Sequence, residues 1–333
     1  MNNKLKVKAS FSVPLFAASI YLLIFACGLI KEKLRSAGGN EFLSVIVLQI
    51  LVFILPSILF CRLKGVGYAT KLNIKLISPN KFGSVIASSL TLILGSILIR
   101  FVQIYVFGVT SFSYSIFDSY VAGNTAYDFL FFATAFAIVP ALTEEFTFRA
   151  IMLTEFNEGG YGGVIATIIT SLLSAMMFFT LESLPVRFYS AIVLCLLTYS
   201  TGSSLSAFIA HVVFNIYTVF GERYIVKAMT DPSNKIIGIF TFALLFLIVS
   251  AITFSEFEHS LRQMGRTNVP TPSYLLKKTD DGETPDVASS EDSDDAPSKK
   301  ASSQRNALAI EAFFSPTFIF CVLLYAVAIF GFI

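Results

Sequence analysis

Two glutamates stand side by side at the end of a long apolar run, in Glu144-Glu145-Phe146-Thr147-Phe148-Arg149. Glu145 and Arg149 are four residues apart, so on a helix they share one face, with the acid on the favourable N-terminal side. Glu144 points about 100° away. One carboxylate can thus be held by Arg149 while the other faces a cavity, where it could act as a general base on water. The plainer alternative is an ion pair capping the helix, but a pair needs only one acid. A second group is His211-Val212-Val213-Phe214-Asn215, with imidazole and amide again four apart inside an apolar stretch. A lone helical histidine is more often a hydrogen-bonded packing residue; an asparagine on the same face favours a site. The other histidine, His259, falls in a charged stretch and reads as a surface residue. A third candidate is Glu182, which ends Phe178-Phe179-Thr180-Leu181-Glu182 just before Pro185. It reads equally well as a loop acid.

The elements that must hold these groups are membrane helices. Of 333 residues, 55% are hydrophobic and only 14% charged, and 35 are phenylalanine. A soluble domain carries roughly 25% charged residues. The expected fold is therefore an all-α, polytopic transmembrane bundle of about eight or nine spans. That excludes a cytosolic enzyme, a disordered chain and a disulfide scaffold. Spans are expected near 11–30, 43–61, 83–107, 126–148, 163–182, 187–201, 203–220, 236–254 and 308–332. The run 187–201 is short and the gap before 203 is tiny, which points to a tilted or re-entrant helix there. The first span lacks a small-x-small cleavage site and is expected to stay uncleaved. All four cysteines (Cys27, Cys61, Cys195, Cys321) lie in apolar runs at spacings that fit no zinc or redox motif.

Residues 1–254 form the expected bundle. Residues 255–307 differ in kind, with an acidic block from Asp280 to Asp295 followed by Lys299, Lys300 and Arg305. Such a segment cannot bury a core and is expected to be a disordered cytoplasmic linker to a last helix at 308–333. Basic residues at the N-terminus and in the 62–82 loop place both on the cytoplasmic side of a cell membrane. Lys31, Lys33 and Arg35 count against that orientation. The net charge of +2 sits mostly in loops and implies no nucleic-acid partner.

With these residues in view, the chain resembles the CPBP family of intramembrane proteins, which includes CAAX-prenyl proteases and bacteriocin-processing enzymes. The family's first motif, Glu-Glu-x-x-x-Arg, is matched by Glu144, Glu145 and Arg149. Its third, His-x-x-x-Asn or Asp, is matched by His211 and Asn215, preceded by Thr201-Gly202-Ser203-Ser204. Its second, Phe-x-x-x-His, finds Phe178 but has Glu182 where the histidine belongs. The resemblance covers about residues 130–220. It implies a bacterial-type intramembrane endopeptidase that acts on a membrane-associated or leader peptide. By the family's pattern Glu144 is the base, Glu145 and Arg149 are a supporting pair, and His211 and Asn215 are oxyanion donors. The resemblance implies no cofactor. A divalent metal on Glu144, Glu182 and His211 ranks second, because two carboxylates and an imidazole suit several metals. The missing histidine keeps open a catalytically inactive protein that binds or regulates on the same fold. A transporter or channel ranks last, since no inverted repeat is visible. One geometric tension attaches to Glu182. Counted from the glycine-rich turn at 156–163, Glu144 and Glu182 differ in depth by roughly 10 Å. Unless tilt or a helical continuation past residue 155 closes that gap, Glu182 is not part of the site.

Overall fold

Chains in lipid must satisfy every backbone polar group internally, and uninterrupted apolar runs do so as helices. The computed structural model describes residues 7–36, 41–65, 75–109, 126–230, 235–266 and 307–331, and every regular element among them is helical. Helices α1 (Ala9–Ser36), α2 (Glu41–Lys64) and α3 (Phe82–Tyr105) are followed by α4, a continuous helical body over 126–158. Then come α5 (Gly163–Met176), α6 (Leu184–Thr201), α7 (Ser204–Met229) and α8 (Lys235–Arg266). The chain ends in α9 (Ala307–Phe313) and α10 (Pro316–Ile329), bent by 43° at their junction. Seven of these helices are long and apolar enough to cross a membrane, or eight if the bent pair counts as one span. The protein is a multi-pass membrane protein built as a helical bundle.

Several of the expected spans have different bounds, among them that of 203–220, which runs on to Met229. The fourth runs on to Glu158 instead of stopping at 148. The fifth stops at Met176, where it was expected to reach 182. At 14 residues α5 is only about 21 Å long, short of the roughly 30 Å hydrocarbon core. The turn 177–183 sends the chain back along α6, so α5 and α6 form a hairpin whose tip lies inside the bundle. Backbone at such depth needs partners. Tyr325 donates to the carbonyl of Thr180 at 3.2 Å, and Gln103 and Arg100 donate to that of Glu182 at 2.7 and 3.1 Å. The join between α6 and α7 needs no more than two residues. Gly202 takes the left-handed conformation at φ 67° and donates to the Thr198 carbonyl. The hydroxyl of Ser203 then caps α7 by accepting from Leu205 N–H.

Apolar packing falls into two main halves, with a smaller cluster of Ile97, Phe101 and Met229 beside the second. One core joins α1, α2, the C-terminal part of α4, α5 and α10 around Tyr21, Phe148, Phe156 and Leu173. The other joins α3, α6 and α7 around Leu92, Leu194, Leu197 and Phe214. Helix α8 packs on α3 and runs to Arg266, into the stretch expected to be linker. The rest of that linker, including its acidic block, lies outside the described residues, as do Lys4, Lys6 and Lys71.

Candidate active site

The two motif helices, α4 and α7, meet where these halves join. Helix α4 is interrupted by π-helical stretches at Thr134–Ile138 and Phe146–Leu153, and α7 by one at Tyr217–Gly221. Such wide turns are rare and frequently mark functional sites. Between the two on α4 stand Glu144 and Glu145, both buried.

The two carboxylates have different surroundings, as their 100° separation requires. One oxygen of Glu145 accepts from Arg149 Nη1 at 2.8 Å and pairs with His211 Nδ1 at 2.7 Å. Arg149 also donates to the Ala191 carbonyl at 3.3 Å, which ties the group to α6. The arrangement turns Nε2 of His211 toward Glu144, 3.9 Å from its Oε2. The other oxygen of Glu144 accepts from Gln49 Nε2 on α2 at 3.5 Å. Glu144 is thus held loosely from two sides, whereas Glu145 is locked in an ion pair.

In front of Glu144 lies a cavity of about 420 Å³. Its walls come from α1, α2, α4, the 177–183 turn, α6 and α7. They are mostly apolar, with Gln49, Glu144, Arg187, Asn215 and Thr218 as the polar exceptions. A largely apolar cavity with few converging polar groups is the usual form of a small-ligand or active site. Asn215 reaches the wall while its amide donates to the Ala137 carbonyl at 3.3 Å. Glu145, Arg149 and His211 lie behind Glu144 and do not line the cavity.

Of the six residues singled out from the sequence, Glu144, Glu145, Arg149, His211 and Asn215 converge. Glu182 does not: it sits in the turn before α6, is absent from the cavity wall, and takes part through its backbone carbonyl. The continuation of α4 to Glu158 fails to bring it in, because α5 ends early and carries its successor residues into the turn. The ligand set Glu144, Glu182 and His211 is therefore not assembled. Among the described residues no three His, Cys, Asp or Glu side chains are placed to hold a metal ion. Gln49, Arg100 and Arg187 were missed. Arg100 and Arg187 could have been noticed as charges within apolar runs. Nothing in the sequence marks Gln49, whose contact depends on how α2 packs on α4.

A family model described as "Type II CAAX prenyl endopeptidase Rce1-like" matches residues 126–217, a segment that holds both motif helices and the α5–α6 hairpin. Comparison with curated proteins and with solved structures gave no match. Over that segment the match supports a CPBP-type fold, that of a CAAX-type intramembrane protease.

Proposed function

We propose that this protein is an intramembrane endopeptidase in which Glu144 activates a water molecule for attack on a peptide bond. One observation carries the reading: among the described residues Glu144 is the one carboxylate on the cavity wall, and a fixed Arg149–Glu145–His211 assembly stands behind it. The carboxylate would take a proton from water as hydroxide adds to the peptide carbonyl, and would later return it to the departing amine. Glu145 and Arg149 hold His211 in orientation, and His211 and Gln49 hold Glu144. The amide of Asn215 is the motif group that reaches the substrate space. The substrate is a membrane-associated or leader peptide, met within the bilayer of a bacterial cell membrane, with the N-terminus of the protease in the cytoplasm.

The test compares the full chain in liposomes with its Glu144→Gln variant on membrane-proximal peptides, prenylated and not. Loss of a general base should lower cleavage by about 10²-fold or more. Equal cleavage by the two proteins would overturn the glutamate mechanism. The position of Glu182 favours a second reading, a protein that binds peptides on this fold without cutting them. That reading is supported if purified protein binds peptides in the cavity and cleaves none, and restoring histidine by Glu182→His adds no activity. It is rejected by cleavage in the unaltered protein.

A further inference from the structure

Peptide hydrolysis needs a group to hold the carbonyl oxygen as it becomes negative. The motifs supply less of this than their pattern implies. His211 lies behind Glu144 and off the cavity wall, with Nδ1 engaged by Glu145. Asn215 already donates to a backbone carbonyl. The histidine expected in the second motif is Glu182, which is outside the cavity.

Arg187 has no place in any motif, yet it lines the same cavity from the first turn of α6. Its guanidinium lies over the ring of Phe178, 4.0 Å from the centroid. Its backbone is paired with Ser183 and Ser190, but the guanidinium makes no hydrogen bond or ion pair with another described residue. The nearby carboxylate of Glu222 is already taken by Arg100 Nε at 2.7 Å. Glu144 is among the charges that act on Arg187. A cation kept among apolar helices without a fixed partner is costly and by default functional. Its planar fork of donors suits an oxyanion better than a single amide does. The scaffold beneath it is firm. Pro185 starts α6, and the carbonyls of Thr180 and Glu182 are pinned by Tyr325, Arg100 and Gln103.

We propose that Arg187 is the electrophile of this site: from the cavity wall that it shares with Glu144, its guanidinium donates hydrogen bonds to the peptide oxygen as that oxygen takes up negative charge, the role expected of His211 and Asn215. The inference rests on the hydrolase reading above. Glu144 takes a proton from water while the oxygen of that water bonds to the carbonyl carbon. The C=O π pair moves to oxygen, where Arg187 holds it. When the pair returns, the C–N bond breaks and the amine leaves with the proton from Glu144. The products are a carboxylic acid and an amine, which ionise to carboxylate and ammonium, and no oxidant, reductant or co-reactant beyond water is consumed.

The test uses the full chain in liposomes. Arg187→Gln should lower kcat by about 10²–10³-fold, the usual cost of one oxyanion donor, with little change in KM. Arg187→Lys should retain part of the activity. Arg187→His provides a readout that a packing role would not move. Relative to Arg187→Gln at each pH, its activity should rise as pH falls through about 6.5, where imidazole gains its charge. A flat ratio would sink the idea. A second arm needs no turnover. A hydrophobic tripeptide with a phosphinate in place of one peptide bond should bind the wild type at least about tenfold tighter than its amide parent, as analogues of a charged transition state do. Arg187→Gln should bind the two alike. If that variant keeps the preference, or the wild type shows none, the assignment of Arg187 is overturned. If Glu144→Gln is inactive while Arg187→Gln cleaves normally, the assignment falls and the hydrolase reading stands. If both variants cleave like the wild type, the glutamate mechanism falls as well.

Discussion

The two adjacent glutamates differ in what their loss would do. Glu145 shares one oxygen between Arg149 and His211, and both it and Arg149 are almost fully removed from solvent, at 2% and 1% side-chain exposure. Removing one charge of such a pair strands the other in a low-dielectric site and costs about 3–5 kcal/mol. Glu144 has only the 3.5 Å contact to Gln49 and the 3.9 Å approach of His211 to lose. Thermal unfolding in detergent should therefore separate the two variants. Glu145→Gln should melt well below the wild type, and Glu144→Gln should melt close to it. Equal losses would show that Glu144 is part of the structural assembly and is not poised for chemistry. These residues were legible in the sequence because four-residue spacing on a helix fixes a shared face before any tertiary contact is known. Glu182 and Arg187 were not. The first sits in a turn, where periodicity gives no direction, and the second becomes meaningful only once α6 faces α4.

Among the elements, the α5–α6 hairpin departs furthest from a simple span. Its tip contains Phe179, which among the described residues is the non-glycine with positive φ, at 50°. A left-handed conformation costs an L-residue roughly 1–2 kcal/mol. The ring repays it by packing between Phe25, at 4.3 Å centroid distance, and Tyr21, edge-on at 5.4 Å. The neighbouring Phe178 lies on the cavity wall, beneath Arg187. The order of two truncations follows. In ordinary helical or extended backbone, glycine is less stable than alanine by roughly 0.5–1 kcal/mol. At position 179 both variants lose the ring, but only Phe179→Ala keeps the strained Cβ. Phe179→Gly should therefore unfold at the higher temperature, and the reverse order would deny that the tip is strained. A stretch of apolar residues ending in Leu-Glu-Ser-Leu-Pro shows that a helix stops before Pro185. It does not show that the stop comes at Met176, because Phe178 to Leu181 are as apolar as the helix before them. What ends α5 is the set of side chains that receive its turn, and those belong to α3 and α10.

For the whole molecule, hydropathy made the bundle legible but left its interior arrangement unread, since lipid-facing and buried runs look alike when both are apolar. The two halves of the core close around α4 and α7, and the cavity in front of Glu144 is completed by α1 and α2. Helix α2 packs on α1 and α4 with one face, while Leu51, Leu55 and Leu59 are exposed on the other. A peptide moving within the bilayer would therefore meet α2 on its way to Glu144. The cysteines give a direct check of this geometry. Cys27 lies half-buried on the cavity wall, whereas Cys61, Cys195 and Cys321 are buried in the packed core. A small methanethiosulfonate reagent should modify Cys27 first in the folded protein, and Cys27→Ser should abolish that fast phase. The same hydrophobic phosphinate tripeptide that tests Arg187 should slow the modification of Cys27 as it fills the cavity, by a factor that rises with its concentration. Labelling that ignores the tripeptide would mean that it binds elsewhere. The space enclosed by α1, α2 and the α5–α6 tip would then not be where a peptide meets Glu144.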